Sequence, residues 1–193
     1  MKLNLPNKLT VARIIATPVF MLCLMWNFPG HYILALLIFI GASLTDLFDG
    51  KYAREHNLVT DFGKFLDPLA DKMLTTAAFI GFTAKGIGTG IEWILFIVLF
   101  REFLISSLRL VAVSSGGKVI AANKWGKLKT VIQMTAIIYV ITAAAFIEII
   151  NIPVLTTILA ILADILLWTS AVLAVVSGVI YLFDNKDHVD PEK

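Results

Sequence analysis

Four aspartates carry the most telling chemistry in this chain. They stand in Asp46-Leu47-Phe48-Asp49-Gly50-Lys51-Tyr52-Ala53-Arg54 and in Gly63-Lys64-Phe65-Leu66-Asp67-Pro68-Leu69-Ala70-Asp71. Asp46 and Asp49 are three positions apart and Asp67 and Asp71 four, so each pair shares a face if its segment is helical. Carboxylates at the end of an apolar helix are unfavourable unless they are paired or bound to a cation. Two converging pairs repel strongly at low dielectric, and one or two divalent cations relieve that repulsion. Donors that are all oxygen favour hard cations, Mg²⁺ or Mn²⁺. A metal site at a membrane face suits the handling of phosphates. The surrounding residues agree. Gly50, Ala53 and Gly63 leave room for a flat group or a neighbouring helix, Arg54 brings a planar cation suited to phosphate, and Thr60 adds a hydroxyl. Solvated charges, a cap at Asp61, or Asp46–Arg54 and Asp71–Lys72 pairs would explain one or two acids, not four in register.

The elements that must position these residues are apolar. The chain has 193 residues, 59% of them hydrophobic, and a mean hydropathy of +0.87, which points to the bilayer as its solvent. Six runs, at about 9–26, 33–52, 65–84, 92–112, 128–148 and 153–183, predict an all-α integral membrane protein, a six-transmembrane-helix bundle. The alternation of a transmembrane barrel is absent. No signal-peptide pattern opens the chain. Residues 2–9, with Lys2 and Lys8, read as a short N-terminal interfacial segment. The sixth run is longer than a bilayer requires, so it tilts or extends into the cytosol. Lys and Arg gather around the aspartates, after the fourth run and near both termini, while Lys85 alone lies clearly on the other side. The positive-inside rule then gives N-in/C-in, with the aspartates facing the cytosol. One membrane domain, 1–183, and a polar cytosolic tail, 184–193, follow. Cys23 reads as a packing residue, and His31, His56 and His188 lack ligand spacing. No nucleic-acid partner is expected.

Asp46, Asp49, Gly50, Ala53, Arg54, Gly63, Asp67 and Asp71 match, without gap or substitution, the signature of the CDP-alcohol phosphotransferases. The resemblance covers almost the whole chain. It implies two metal ions held by Asp46, Asp49, Asp67 and Asp71, which grip the diphosphate of a CDP-linked lipid. It further implies that Asp71 is the base that deprotonates the attacking alcohol, and that Gly50, Ala53, Arg54 and Thr60 contact the cytidine nucleotide. The segment Pro6-Asn7-Lys8-Leu9-Thr10-Val11-Ala12-Arg13 also looks like the family's pattern and adds Asn7 and Thr10 as nucleotide contacts. In isolation that segment would be a helix start capped by Asn7 or Thr10. A homodimer is implied as well.

The acceptor is read from the second basic region, Arg109, Lys118, Lys124, Lys127 and Lys129. These are membrane anchors and an anionic-lipid patch, or a cationic pocket for an alcohol that carries its own phosphate. Arg101, Glu102 and Asp164 interrupt apolar runs, so each must pair or face a cavity; Asp164 has no specific role from sequence. Gly63 to Lys72, Arg101-Glu102-Phe103-Leu104-Ile105-Ser106 with Arg109, and Gly126-Lys127-Leu128-Lys129-Thr130 resemble the bacterial phosphatidylglycerophosphate synthase branch. That branch implies phosphatidyl transfer from CDP-diacylglycerol to sn-glycerol 3-phosphate at the bacterial inner (plasma) membrane, with Arg109, Lys118 and Lys127 on the acceptor phosphate. Three alternatives stay open. One is the same chemistry with an inositol phosphate or serine. Another is an intramembrane prenyltransferase, whose acidic motifs have other spacings. The last is a cation transporter, which needs acids through the full membrane depth, whereas here only Glu92 and Glu148 lie near the far boundary.

Overall fold

The computed structural model describes residues 4–55, 61–114, 124–150 and 152–185; the side chains of 46–55, 61, 62, 64, 65, 67 and 112–114 lie outside the described set. Among the described residues every regular element is an α-helix: α1 (Leu5–Met25), α2 (His31–Glu55), α3 (Asp61–Lys85), α4 (Ile91–Ser114), α5 (Lys124–Ile149) and α6 (Pro153–Asp184). Each expected run falls on one helix. Three of them, α1, α5 and α6, are long and apolar enough to cross a membrane by length and composition, and α2 has a shorter apolar part, His31–Thr45.

The helix starts differ from the sequence expectation for local reasons. The Asn4 side chain accepts a hydrogen bond from the Asn7 backbone N–H at 3.2 Å, and Pro6 occupies the first turn, so α1 begins at Leu5 rather than near residue 9. Residues 5–9 of the expected interfacial segment are therefore the opening turns of α1, and the cap is Asn4, not Asn7 or Thr10. Helix α5 starts at Lys124, which brings Lys124, Lys127 and Lys129 into its first two turns.

The helices pack as a closed ring in the order α1–α2–α5–α6–α4–α3, and α3 returns to α1. Helix α1 lies between α2 and α3, which touch each other only sparingly among the described residues. Lys85, at the end of α3, donates to Asn27 Oδ1 and sits 5.9 Å over the Tyr32 ring near the start of α2, so α2 and α3 run antiparallel. At that same end Asp164 of α6 clamps the α3–α4 turn. It accepts from Thr89 N at 2.8 Å and from Thr89 Oγ1 at 2.7 Å, while Trp168 Nε1 donates to the Thr89 carbonyl at 3.0 Å. Gly88 and Gly90 in this turn take φ of 98° and 67°, where a side chain would be strained. Asp164 lies about three turns into α6, so about three turns of α6 precede this clamp.

The interior changes character along the ring axis. Toward the Lys85 end it is mostly apolar, built from Phe20, Leu24, Phe39, Phe79, Phe82, Ile94, Ile137, Ile141 and Leu167, with His31 buried beside them. Toward the aspartate end the buried side chains include Asn7, Thr10, Arg13, Thr17, Lys129, Gln133 and Ser177. The outside is the reverse of a soluble protein, with Ile15, Leu22, Leu37, Phe96, Phe103, Val131, Ile161 and Val172 exposed, Trp26 and Trp93 at one end and Trp125 at the other. An apolar surface around a partly polar interior is what a chain solvated by lipid presents.

Candidate active site at the polar end of the bundle

Helix α1 lines this end with a stripe spaced three and four residues apart. Asn7, Thr10, Arg13 and Thr17 form its polar half, and Phe20, Cys23 and Leu24 continue it into the apolar core. The lone Cys23 is thus a small core residue. Thr10 Oγ1 donates to the Pro6 carbonyl at 3.2 Å and Thr17 Oγ1 to the Arg13 carbonyl at 3.0 Å, so both hydroxyls are satisfied along the helix. Arg13 is 2% exposed and its Nε donates to the Ala42 carbonyl of α2 at 3.2 Å. Arg13 is thereby a buried tie between α1 and α2.

Asp46 and Asp49, with Gly50, Ala53 and Arg54, lie on the last turns of α2, and Asp67 and Asp71 lie on the first turns of α3. Antiparallel α2 and α3 bring both pairs to the same end of the ring. The side chains of Asp46, Asp49, Ala53, Arg54 and Asp67 are outside the described set, and Thr60 and Lys118 lie outside the described residues. Gly63 is buried and Asp71 is exposed. Among the described residues no three His, Cys, Asp or Glu side chains stand together. The fit of a cation therefore rests on the donor chemistry. Four carboxylates with no sulfur or imidazole suit Mg²⁺ or Mn²⁺.

The basic residues part company. Arg109 is half-buried, its Nε donating to Tyr181 Oη at 3.4 Å and its guanidinium 5.7 Å from that ring's centre. Lys127 is exposed, while Lys129, two positions on, is 3% exposed and reaches Glu102. Residues two apart on a helix face nearly opposite ways. Sequence reading nominated Lys127 and passed over Lys129; the Arg101-Glu102 interruption was the signal that an inward cation had to exist. Arg101 and Glu102 pair with each other at 3.1 Å, and Arg101 Nε also donates to Ser177 Oγ of α6 at 3.3 Å. His31, never a ligand candidate, is buried at the opposite end, its Nδ1 3.1 Å from the Cys23 carbonyl.

The model of the CDP-alcohol phosphatidyltransferase family matches residues 3–176, and the chain belongs to that family. It is 39% identical to the CDP-diacylglycerol–glycerol-3-phosphate 3-phosphatidyltransferase of Bacillus subtilis (strain 168) over 194 residues, 94% of this chain and 95% of that one. The protein of the same name from Rickettsia bellii (strain RML369-C) is 40% identical over 182 residues, 92% and 93% of the two chains. A third, from Wigglesworthia glossinidia brevipalpis, is 38% identical over 151 residues, 78% and 83% of the two chains.

Proposed function

We propose that this membrane transferase moves the phosphatidyl group of CDP-diacylglycerol to sn-glycerol 3-phosphate and releases CMP, a step of phospholipid biosynthesis. The observation that carries the reading is the uninterrupted eight-residue signature on the adjoining ends of α2 and α3. Support comes from relatives that carry this activity in their names and align over nearly the full chain.

Asp46, Asp49, Asp67 and Asp71 would hold two ions of Mg²⁺ or Mn²⁺. When bound, the metal supplies charge neutralisation to the diphosphate and to the leaving phosphate oxygen. The remaining work belongs to the chain. Asn7 and Thr10 on α1, with Gly50, Ala53, Arg54 and Thr60, receive the cytidine nucleotide. Arg109, Lys118 and Lys127 draw in the acceptor phosphate. Asp71 takes the proton of the acceptor hydroxyl as that oxygen bonds to the lipid-linked phosphorus. The bond from this phosphorus to CMP breaks, and its electron pair leaves on the CMP phosphate. Positioning and charge stabilisation supply most of the acceleration.

The same reading sets all six helices across the bacterial plasma membrane, both termini and the site in the cytosol, in a homodimer. The test is CMP release by purified protein in detergent, with CDP-diacylglycerol, Mg²⁺ and sn-glycerol 3-phosphate omitted in turn. Dependence on all three, with lipid phosphatidylglycerophosphate formed, is the expected result. Release only with inositol phosphate or serine would move the acceptor, and no release with any alcohol would remove the reaction.

A further inference from the structure

Four charged side chains from three helices meet beside the turn of α3 that carries Asp71. Glu102 of α4 is the acid at their centre. Lys129 Nζ of α5 lies 2.5 Å from its Oε1, Arg101 Nη1 3.1 Å from the same oxygen, and Lys72 Nζ of α3 3.8 Å from its Oε2. Lys72 also donates to Ser106 Oγ, and Ser106 Oγ donates to the Glu102 carbonyl at 2.6 Å. Arg101 carries the network on to Ser177 of α6. One carboxylate thus ties α3, α4 and α5 together against three cations, and Arg101 extends the tie to α6.

That ratio matters because of where the cations stand. Lys72 is the chain neighbour of Asp71, and Lys129 is close enough to Asp71 to interact with its charge. Lys129 is almost wholly buried, and a buried cation that loses its acid is strongly driven to find another. Asp71 stands on the turn of α3 next to Lys72, which shares the Glu102 carboxylate with Lys129. A lysine that pairs with Asp71 would compete for that carboxylate with a bound cation and with the acceptor's proton.

We infer that Glu102 is a positioning residue for Asp71: by holding Lys72 and Lys129 it keeps both cations off the Asp71 carboxylate and sets the turn of α3 that presents it. The inference rests on the reading of Asp71 as metal ligand and base. It concerns Glu102, whose carboxylate meets Lys72, Arg101 and Lys129.

The experiment titrates Mn²⁺ into the purified full-length protein without substrate, reads free Mn²⁺ by electron paramagnetic resonance, and runs CMP release and a melting curve on the same samples. Glu102→Gln should raise the Mn²⁺ Kd about tenfold, because a cation freed at close range opposes a divalent ion at low dielectric. Lys129→Met in the Glu102→Gln background should bring the Kd back to within about threefold of wild type by the same electrostatics. A purely structural Glu102 would lower the melting temperature and leave the Kd of the folded protein alone. A folded Glu102→Gln protein with wild-type Kd, or a double variant no tighter than Glu102→Gln, overturns the inference. If Glu102→Gln does not fold, Glu102→Asp, whose shorter side chain loosens the hold on Lys129, is read in its place: a raised Kd supports the inference, and a wild-type Kd overturns it. Wild-type protein that binds Mn²⁺ yet releases no CMP would sink the proposed reaction and leave the Mn²⁺ series to judge Glu102 on its own.

Discussion

Asp71 combines two features that serve a base: it is exposed at the polar end of the ring, and it follows Asp67 by one helical turn on α3. Asp71→Asn keeps the size and shape of the side chain but removes its charge, and with it the proposed proton acceptor and metal ligand. Turnover should fall by at least about a hundredfold, the scale of a general base, with the melting temperature within a few degrees of wild type. Full CMP release by the folded variant would take the base role away from Asp71. At this scale the sequence was readable where local spacing decides the matter, as in the two aspartate pairs. It was unreadable where helix rotation decides. Lys127 and Lys129 look alike in the chain, and only the packing of α5 against α2 and α6 turns Lys129 inward to Glu102 and leaves Lys127 exposed. Asp164 was opaque for another reason: its partner, Thr89, lies 75 positions away.

The helices themselves were legible because long apolar runs broken by charge have few other structures open to them. Their neighbours were not. Among the described residues α1 packs between α2 and α3, an arrangement that chain order alone does not dictate. Gly81 shows how α1 and α3 come so close. A Cβ at this position would sit 2.3 Å from Leu24 Cδ2, and Leu24 is fully buried. Gly81→Ala should therefore cost about 1–3 kcal/mol through overpacking, read as a lower melting temperature in detergent. Gly41→Ala on α2, where nothing lies within 4 Å of the added Cβ, should leave the melting temperature unchanged or raise it. Leu24→Ala opens space at the same contact, so the Gly81→Ala/Leu24→Ala protein should lose less than the two single losses together. Strict additivity would show that α1 and α3 are not in contact there.

The whole molecule is polarised along the ring axis, and that polarity ties the fold to the chemistry. At one end the interior is mostly apolar and the turns are clamped by Asp164 and by Lys85 with Asn27; at the other, buried Asn7, Thr10, Arg13 and Lys129 adjoin the aspartate-bearing turns. A substrate with acyl chains and a charged headgroup needs such a division, with hydrocarbon around the ring and a hydrated, cation-rich mouth at one end. The excess of Lys and Arg at the aspartate end is the basis of the proposal that this mouth faces the cytosol. Cys23 makes the orientation measurable, because the single cysteine is buried and gives little background to a thiol reagent. Glu92 in the first turn of α4 and Lys127 in the first turn of α5 are both exposed, at opposite ends. In intact bacterial spheroplasts a membrane-impermeant maleimide should label Glu92→Cys and leave Lys127→Cys unlabelled until the cells are opened. The reverse pattern would turn the molecule over and place the aspartates outside, away from a cytosolic supply of CDP-lipid and phosphorylated acceptor. Equal labelling of both before opening would mean that neither end is sealed from the medium, and the transmembrane reading itself would fail.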